Sequence, residues 1–120
     1  MISISKEFRF DAAHFLPTAP KGHPNSRMHG HSFAAVLTLE GDADAAHGWV
    51  RDFAEVERAV EGLRARLDHH VLNEIKGLET PTLERIARFI FDELKGALPE
   101  LAAVSVHRPS LGESCTYRRA

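Results

Sequence analysis

His14, His29 and His31 are the residues of this chain whose type and spacing most directly suggest chemistry. On a strand, positions i and i+2 project to the same face about 7 Å apart, so His29 and His31 present both imidazoles to one side. His14 closes the preceding alternating segment and shares the parity of Phe8 and Phe10, so its ring faces the same way. Three imidazoles from adjacent strands can then converge. Neutral imidazole nitrogen binds zinc at about 2.0–2.1 Å, and three protein ligands with one open position is the pattern of catalytic rather than structural zinc. Cys115 is remote in sequence, which makes a closed four-ligand site the weaker alternative. Taken alone, a His-x-His pair is a weak signal, and any one of these histidines has an ordinary core or surface role as its competing explanation. A third histidine at the end of the neighbouring strand tips the balance toward a metal site.

Asp68 and His69 form a second candidate. An aspartate beside a histidine holds the imidazole by hydrogen bonding, a pairing suited to general acid or base work near neutral pH. The competing explanation is a helix C-terminus, where histidines meet the negative end of the dipole. From the residues alone the two stand equal.

The elements that must position these groups are legible from periodicity. Residues 2–10 place Ile2, Ile4, Phe8 and Phe10 on one parity, the mark of a half-buried strand ending near Ala13. Prolines, a glycine and polar residues over 17–26 predict an irregular loop. A second strand is expected from about His29 to Leu39, and a turn region over 41–48. Asp52, with Glu55 three positions on, resembles a capping box. Phe53, Val56, Val60, Leu63 and Leu67 then recur at helical spacing over about four turns. Thr80-Pro81 predicts the cap and first-turn proline of a second helix, with Leu83, Ile86, Ala87, Ile90, Leu94 and Leu98 as its apolar stripe and Pro99 as its end. Strands are expected around 102–107 and 114–118, with Leu111-Gly112 in the turn between them. The order β-β-α-α-β-β predicts an α+β fold, an antiparallel four-stranded sheet with two helices on one face.

A chain of 120 residues suits one domain spanning 1–120. Apolar residues make up 43% and charged residues 27%, ordinary values for a globular protein. Fifteen basic against 17 acidic side chains, a net charge of −2, argue against a nucleic-acid-binding surface. The start of the chain lacks the long apolar stretch of a secretory signal or membrane span, which together with a single cysteine predicts a cytoplasmic protein without membrane association. Two exposed sheet edges and an uncovered sheet face predict a homo-oligomer.

The segments 10–14 (Phe-Asp-Ala-Ala-His), 28–33 (Met-His-Gly-His-Ser-Phe), 48–53 (Gly-Trp-Val-Arg-Asp-Phe), 67–73 (Leu-Asp-His-His-Val-Leu-Asn) and 81–84 (Pro-Thr-Leu-Glu) resemble, in order and spacing, the 6-pyruvoyltetrahydropterin and 6-carboxytetrahydropterin synthase family. The resemblance implies a tunnelling fold (T-fold), in which subunits join through their sheets into trimers stacked as hexamers with active sites at the interfaces. It implies zinc on His14, His29 and His31, and lyase chemistry on dihydroneopterin triphosphate as the small-molecule substrate. In that chemistry zinc polarises side-chain oxygens, while a cysteine thiolate and an Asp-His pair matching Asp68 and His69 move protons.

Two positions depart from the family pattern. Asn25 stands where the family has its cysteine, and an amide does not titrate in the working range, although it can hydrogen-bond a substrate. Arg108 stands where a glutamate accepts hydrogen bonds from the pterin edge, and a guanidinium has donors only. Arg108 suits a carboxylate or phosphate instead, unless Glu113 compensates across a reshaped turn. Cys115 matches neither role and is expected to be a buried, inert thiol. Three functions follow: a working pterin synthase, a diverged enzyme taking an anionic non-pterin substrate, and a non-catalytic zinc-binding protein.

Overall fold

The computed structural model describes residues 1–119 and gives the six elements in the expected order: β1 (Ile2–His14), β2 (His29–Gly41), α1 (Phe53–Leu67), α2 (Leu83–Lys95), β3 (Leu101–Arg108) and β4 (Glu113–Arg118). The strands form one antiparallel sheet in the order β1-β2-β3-β4. Both helices lie on one face, α1 over β1 and α2 over β3 and β4. Neither helix is long and apolar enough to cross a membrane.

The parity read from the sequence is the one that folds. Phe8, Phe10 and Ala12 on β1, Phe33, Ala35, Leu37 and Leu39 on β2, and Val104 and Val106 on β3 all turn toward the helices and are buried. Against them pack Val56, Val60, Leu63 and Leu67 of α1 and Ile86, Ala87, Ile90 and Leu94 of α2. Phe91, outside the expected stripe, is fully buried as well and meets Tyr117 edge-on at 5.2 Å. Burial of this size is the main favourable term in folding, at roughly 25 cal/mol per Å² of apolar surface.

The ends of the elements depart from expectation in instructive ways. β1 and β2 each run slightly further than anticipated, and β1's last residue, His14, pairs directly with His29, the first residue of β2. Asp52 does cap α1, accepting from the Ala54 backbone N–H at 2.9 Å. Glu55 does not complete a capping box; its carboxylate takes Arg51 Nη1 at 2.7 Å, while Nη2 of the same guanidinium pairs with Glu100. The cap of α2 is Thr82, accepting from the Arg85 backbone N–H, and not Thr80. The Thr82 hydroxyl takes the backbone N–H three residues on, so the helix begins at Leu83, two residues later than the Thr80-Pro81 step suggested. α2 ends at Lys95, ahead of Pro99, and the Lys95 ammonium donates to the carbonyls of Pro99 and Leu101.

Leu37 is fully buried at the centre of β2. Leu37→Ala is expected to cost about 2–5 kcal/mol through lost transfer energy and the cavity left behind. Urea denaturation of the purified variant reads this directly as a lowered midpoint, and an unchanged midpoint would contradict the packing described.

Candidate metal centre

The register of the β1–β2 hairpin assembles the three imidazoles. His14 lies opposite His29, Ala12 opposite His31 and Phe10 opposite Phe33. All the residues of that face point toward the helices, so the rings of His14, His29 and His31 meet at the end of the sheet. Their centroids are 4.6, 4.8 and 5.1 Å apart, and each offers one ligand nitrogen within 4.8 Å of the others. Phe33 supports the cluster from below, edge-on to His14 at 5.7 Å and to His31 at 5.5 Å.

Two backbone carbonyls fix which nitrogen faces inward. His14 Nδ1–H donates to the Pro81 carbonyl at 2.9 Å, and His29 Nδ1–H donates to the Arg27 carbonyl at 2.7 Å. Both rings are thereby left with an Nε2 lone pair for a cation, the tautomer that carbonyl partners impose on metal-binding histidines. Nε2 of His14 and Nε2 of His31 are buried without a hydrogen-bond partner among the described residues. Buried acceptors rarely lack partners, so this donor set fits a divalent metal. Burial, opposed by the Pro81 carbonyl and aided by the charges of His29, His31 and Arg108, lowers the His14 pKa to about 4. Burial, Arg108 and His29 also lower that of His31, with Glu113 acting against them. Both rings therefore favour the neutral form that ligates metal.

The Asp68–His69 pair forms as the sequence suggested. His69 Nδ1 lies 3.0 Å from Asp68 Oδ2, and Arg64 approaches the same oxygen at 3.4 Å. The Asp11 backbone N–H donates to Asp68 Oδ1 at 2.9 Å and, with His69, holds the carboxyl below its usual range. His69 adopts a left-handed backbone conformation, φ +60°, uncommon for a non-glycine residue and fixed here by a 2.6 Å hydrogen bond from its N–H to the Asp11 carbonyl. Its side chain stays 79% exposed. An open cleft of about 560 Å³ runs between His69, His70 and Val71 on one side and His31 and Ser32 on the other, so His31 and His69 border one space.

A family model described as 6-pyruvoyl tetrahydropterin synthase matches residues 3–120. The chain belongs to that family. It is 37% identical over 120 residues to a 6-carboxy-5,6,7,8-tetrahydropterin synthase of Synechocystis, covering 94% of this chain and 87% of that protein. It is also 36% identical over 104 residues to a dihydroneopterin monophosphate aldolase of Pyrococcus furiosus, covering 87% and 82% respectively. The 6-pyruvoyl tetrahydropterin synthase structure from Caenorhabditis elegans superposes with a TM-score of 0.87 at 24% identity, over 99% of this chain and 96% of that one, which supports the T-fold.

Asn25 and Arg108, the two positions where a departure from the family pattern is expected, have definite surroundings. Asn25 sits in the short turn Pro24–Ser26, its N–H on His23 Nδ1 at 3.0 Å and its carbonyl accepting from the Leu16 N–H at 2.7 Å. Its carboxamide makes no hydrogen bond among the described residues. Arg108 does not point to solvent: its side chain is 19% exposed and Nη2 pairs with Glu113 Oε1 at 2.9 Å. Cys115 is partly buried and packs against the core, and burial pushes its thiol pKa up, so it is neither base nor nucleophile at neutral pH. The carbonyls of Pro81 and Arg27, and Asn73, whose carboxamide clamps both backbone groups of Phe15 beside His14, had no signal in the sequence that assigned them a role.

The lowered pKa values of His14 and His31 make the metal-free protein less stable as pH falls. Between about 6.5, the unperturbed value, and about 4, the unfolded chain binds a proton that the folded chain refuses. Stability is therefore highest above the unfolded pKa and falls as pH drops through that window. Melting curves of chelator-treated protein at pH 7 and pH 5 should show this loss, and His14→Ala should diminish it. An identical pH response in the variant would contradict the assignment.

Proposed function

We propose that this chain is a zinc-dependent lyase acting on the side chain of a phosphorylated dihydroneopterin. The observation that carries the proposal is the cluster of His14, His29 and His31, with ligand nitrogens within 4.8 Å of one another and two buried Nε2 atoms lacking protein partners. Zinc bound there supplies Lewis acidity, polarising the oxygens of the substrate side chain.

The chain's own residues do the rest. Asp68 holds Nδ1 of His69 at 3.0 Å, which leaves Nε2 of an exposed imidazole to take or give a proton. Asn25 neither accepts nor releases a proton, and Cys115 stays protonated, so proton transfer falls to the Asp68–His69 pair. A single proton carrier suits carbon–carbon cleavage. Loss of the proton from the C2′ hydroxyl lets the C1′–C2′ bond break, its electron pair passing into the conjugated C6=N5 imine of the dihydropterin ring. Protonation at C1′ then completes the reaction. Similarity to an aldolase acting on dihydroneopterin monophosphate supports this branch.

The diverged reading rests on both Asn25 and Arg108, and the pairing of Arg108 with Glu113 weakens only the Arg108 part of it. We further propose that the chain works as a homo-oligomer, a trimer or hexamer. The outer edge of β4 has no strand partner among the described residues, and the outer edge of β1 meets other backbone only near its end, where Ala13 bridges Val71.

Zinc-loaded protein incubated separately with dihydroneopterin monophosphate and triphosphate tests the proposal. Carbon–carbon cleavage is expected to release a phosphorylated glycolaldehyde and 6-hydroxymethyl-dihydropterin, whereas elimination would release the phosphate chain and, in the carboxy-forming reaction, acetaldehyde. His69→Ala should lower kcat about 100-fold or more while leaving zinc content unchanged. No product of either kind from metal-replete protein would refute the function.

A further inference from the structure

The connection between β1 and β2 carries hydrogen-bond donors and no carboxylate. From Ala12 to Leu39 the chain has neither aspartate nor glutamate, while Lys21, His23 and Arg27 all fall within this stretch. Main-chain bonds hold the connection in one shape: the His23 N–H donates to the Pro20 carbonyl at 2.9 Å, the Arg27 N–H to the Pro24 carbonyl at 3.2 Å and the Leu16 N–H to the Asn25 carbonyl at 2.7 Å. Gly22, at φ +87°, takes the left-handed step beside Lys21 that a side chain would strain. The Arg27 carbonyl in turn accepts from His29 Nδ1–H at 2.7 Å, so the end of the turn is fastened to a ring of the histidine cluster. A side chain as long as arginine, rooted there, stays within reach of a molecule bound at that cluster.

The side chains of this turn are left open to a ligand. Lys21, His23 and Arg27 are exposed. Arg64 beside His69 and Arg108 beside His31 are already paired with Asp68 and Glu113, whereas Lys21 and Arg27 meet no carboxylate among the described residues. His23 Nδ1 accepts from the Asn25 N–H at 3.0 Å, which leaves the ring hydrogen of the neutral form on Nε2 as a donor. The Asn25 carboxamide adds an uncommitted NH2. An exposed cation by itself decides nothing; its company here does. Two permanent positive charges and two neutral donors, with no acid among them, suit an oxyanion of charge about −1.5 to −2, the state of a phosphate monoester at neutral pH. Arginine grips such a group through two parallel N–H bonds and lysine acts on it as a point charge.

We propose that the β1–β2 turn is the phosphate subsite of this protein, Arg27 gripping a phosphate monoester while Lys21, His23 Nε2–H and the Asn25 amide complete its shell. Arg27 is thereby a specificity-determining residue that favours phosphorylated ligands over the free alcohols. An amide at position 25 donates to the phosphate where a thiolate would repel it. This assignment rests on the phosphorylated dihydroneopterin proposed above and adds which residues hold its phosphate.

The test separates the phosphate from the rest of the ligand. Neopterin and neopterin monophosphate are titrated into zinc-loaded protein and followed by ligand fluorescence. Wild type is expected to bind the phosphate ester about tenfold or more tighter than the free alcohol. Arg27→Gln should remove most of that advantage and Lys21→Gln a smaller share, with neopterin affinity and zinc content at the wild-type level, while Arg27→Lys should keep part of it. Arg58→Gln takes one exposed cation from α1 without touching the turn, so it should leave the advantage intact. Equal wild-type affinity for the two ligands overturns the assignment even if no variant folds. So does an Arg27→Gln protein that keeps the full advantage, which would put the phosphate on the metal instead. An Arg58→Gln protein that loses as much as Arg27→Gln overturns it as well, by reducing the effect to net charge. Protein that cleaves dihydroneopterin as readily as its phosphates sinks the phosphate subsite alone. A phosphate advantage that depends on Arg27, in protein that turns over neither dihydroneopterin phosphate, sinks the proposed function and upholds the subsite.

Discussion

The pairing register of β1 with β2 is the constraint on which the rest of the structure depends. With Phe10 opposite Phe33, His14 falls opposite His29 and His31 lies two residues further in on the same face. Side chains alternate with a period of two, so a slip of one residue would turn the whole row outward and bring the parity of Arg9, Asp11 and Ser32 inward. The apolar residues that make such a slip prohibitive, Phe8, Phe10, Phe33 and Leu37, are the largest contributions of these two strands to the core. Hydrophobic burial thus enforces the convergence of the imidazoles, and folding and chemistry answer to one geometric requirement.

That arrangement has an electrostatic consequence. A ring as buried as His14, at 1% exposure, keeps its neutral form because desolvation disfavours the charged one. The Pro81 carbonyl pulls the other way, yet its larger effect is orientation: by occupying Nδ1 it leaves Nε2 facing His29 and His31. A buried acceptor without a partner costs about 1–3 kcal/mol, and the site holds two. Stacking of Phe10 on Phe33 at 5.1 Å and the edge contacts of Phe33 with the histidines lie directly beneath them and help offset that local cost.

What the sequence made legible is what depends on period and local chemistry. Most of both helical stripes, the strand parities and the inward direction of His14, His29 and His31 follow from spacing alone, and the topology follows from element order; spacing misplaced Phe53, which is exposed, and missed Phe91, which is buried. The Asp68–His69 contact was visible as adjacency, but its support was not. Asp11 is 57 residues from Asp68, and nothing in either segment announces that its N–H holds the carboxylate while its carbonyl holds the His69 backbone. The Pro81 carbonyl is 67 residues from His14, and backbone acceptors leave no trace in residue identity. Thr80 was a reasonable cap by type, and the structure gives the role to Thr82, two residues on. The Arg108–Glu113 pairing stood in the sequence only as an alternative, because whether two hairpin residues face each other depends on the exact turn, and Pro109–Leu111 with left-handed Gly112 sets it.

The surroundings of Asn25 and Arg108 make both positions tolerant of a change of side chain. Asn25 contributes to its turn through main-chain atoms, its carbonyl accepting from Leu16 and its N–H reaching His23, so a change of side chain there leaves the turn's hydrogen bonds in place. Arg108 and Glu113 belong to one cross-strand pair, and parity keeps both side chains on the site's face whatever their identity. The histidine cluster, by contrast, is tied to the core through Phe33 and to the chain before α2 through Pro81, so changes there propagate into packing. Side chains at positions 25, 108 and 113 can therefore vary around a fixed cluster of imidazoles. Substitution at these strand ends and turns leaves the register that assembles the histidines untouched.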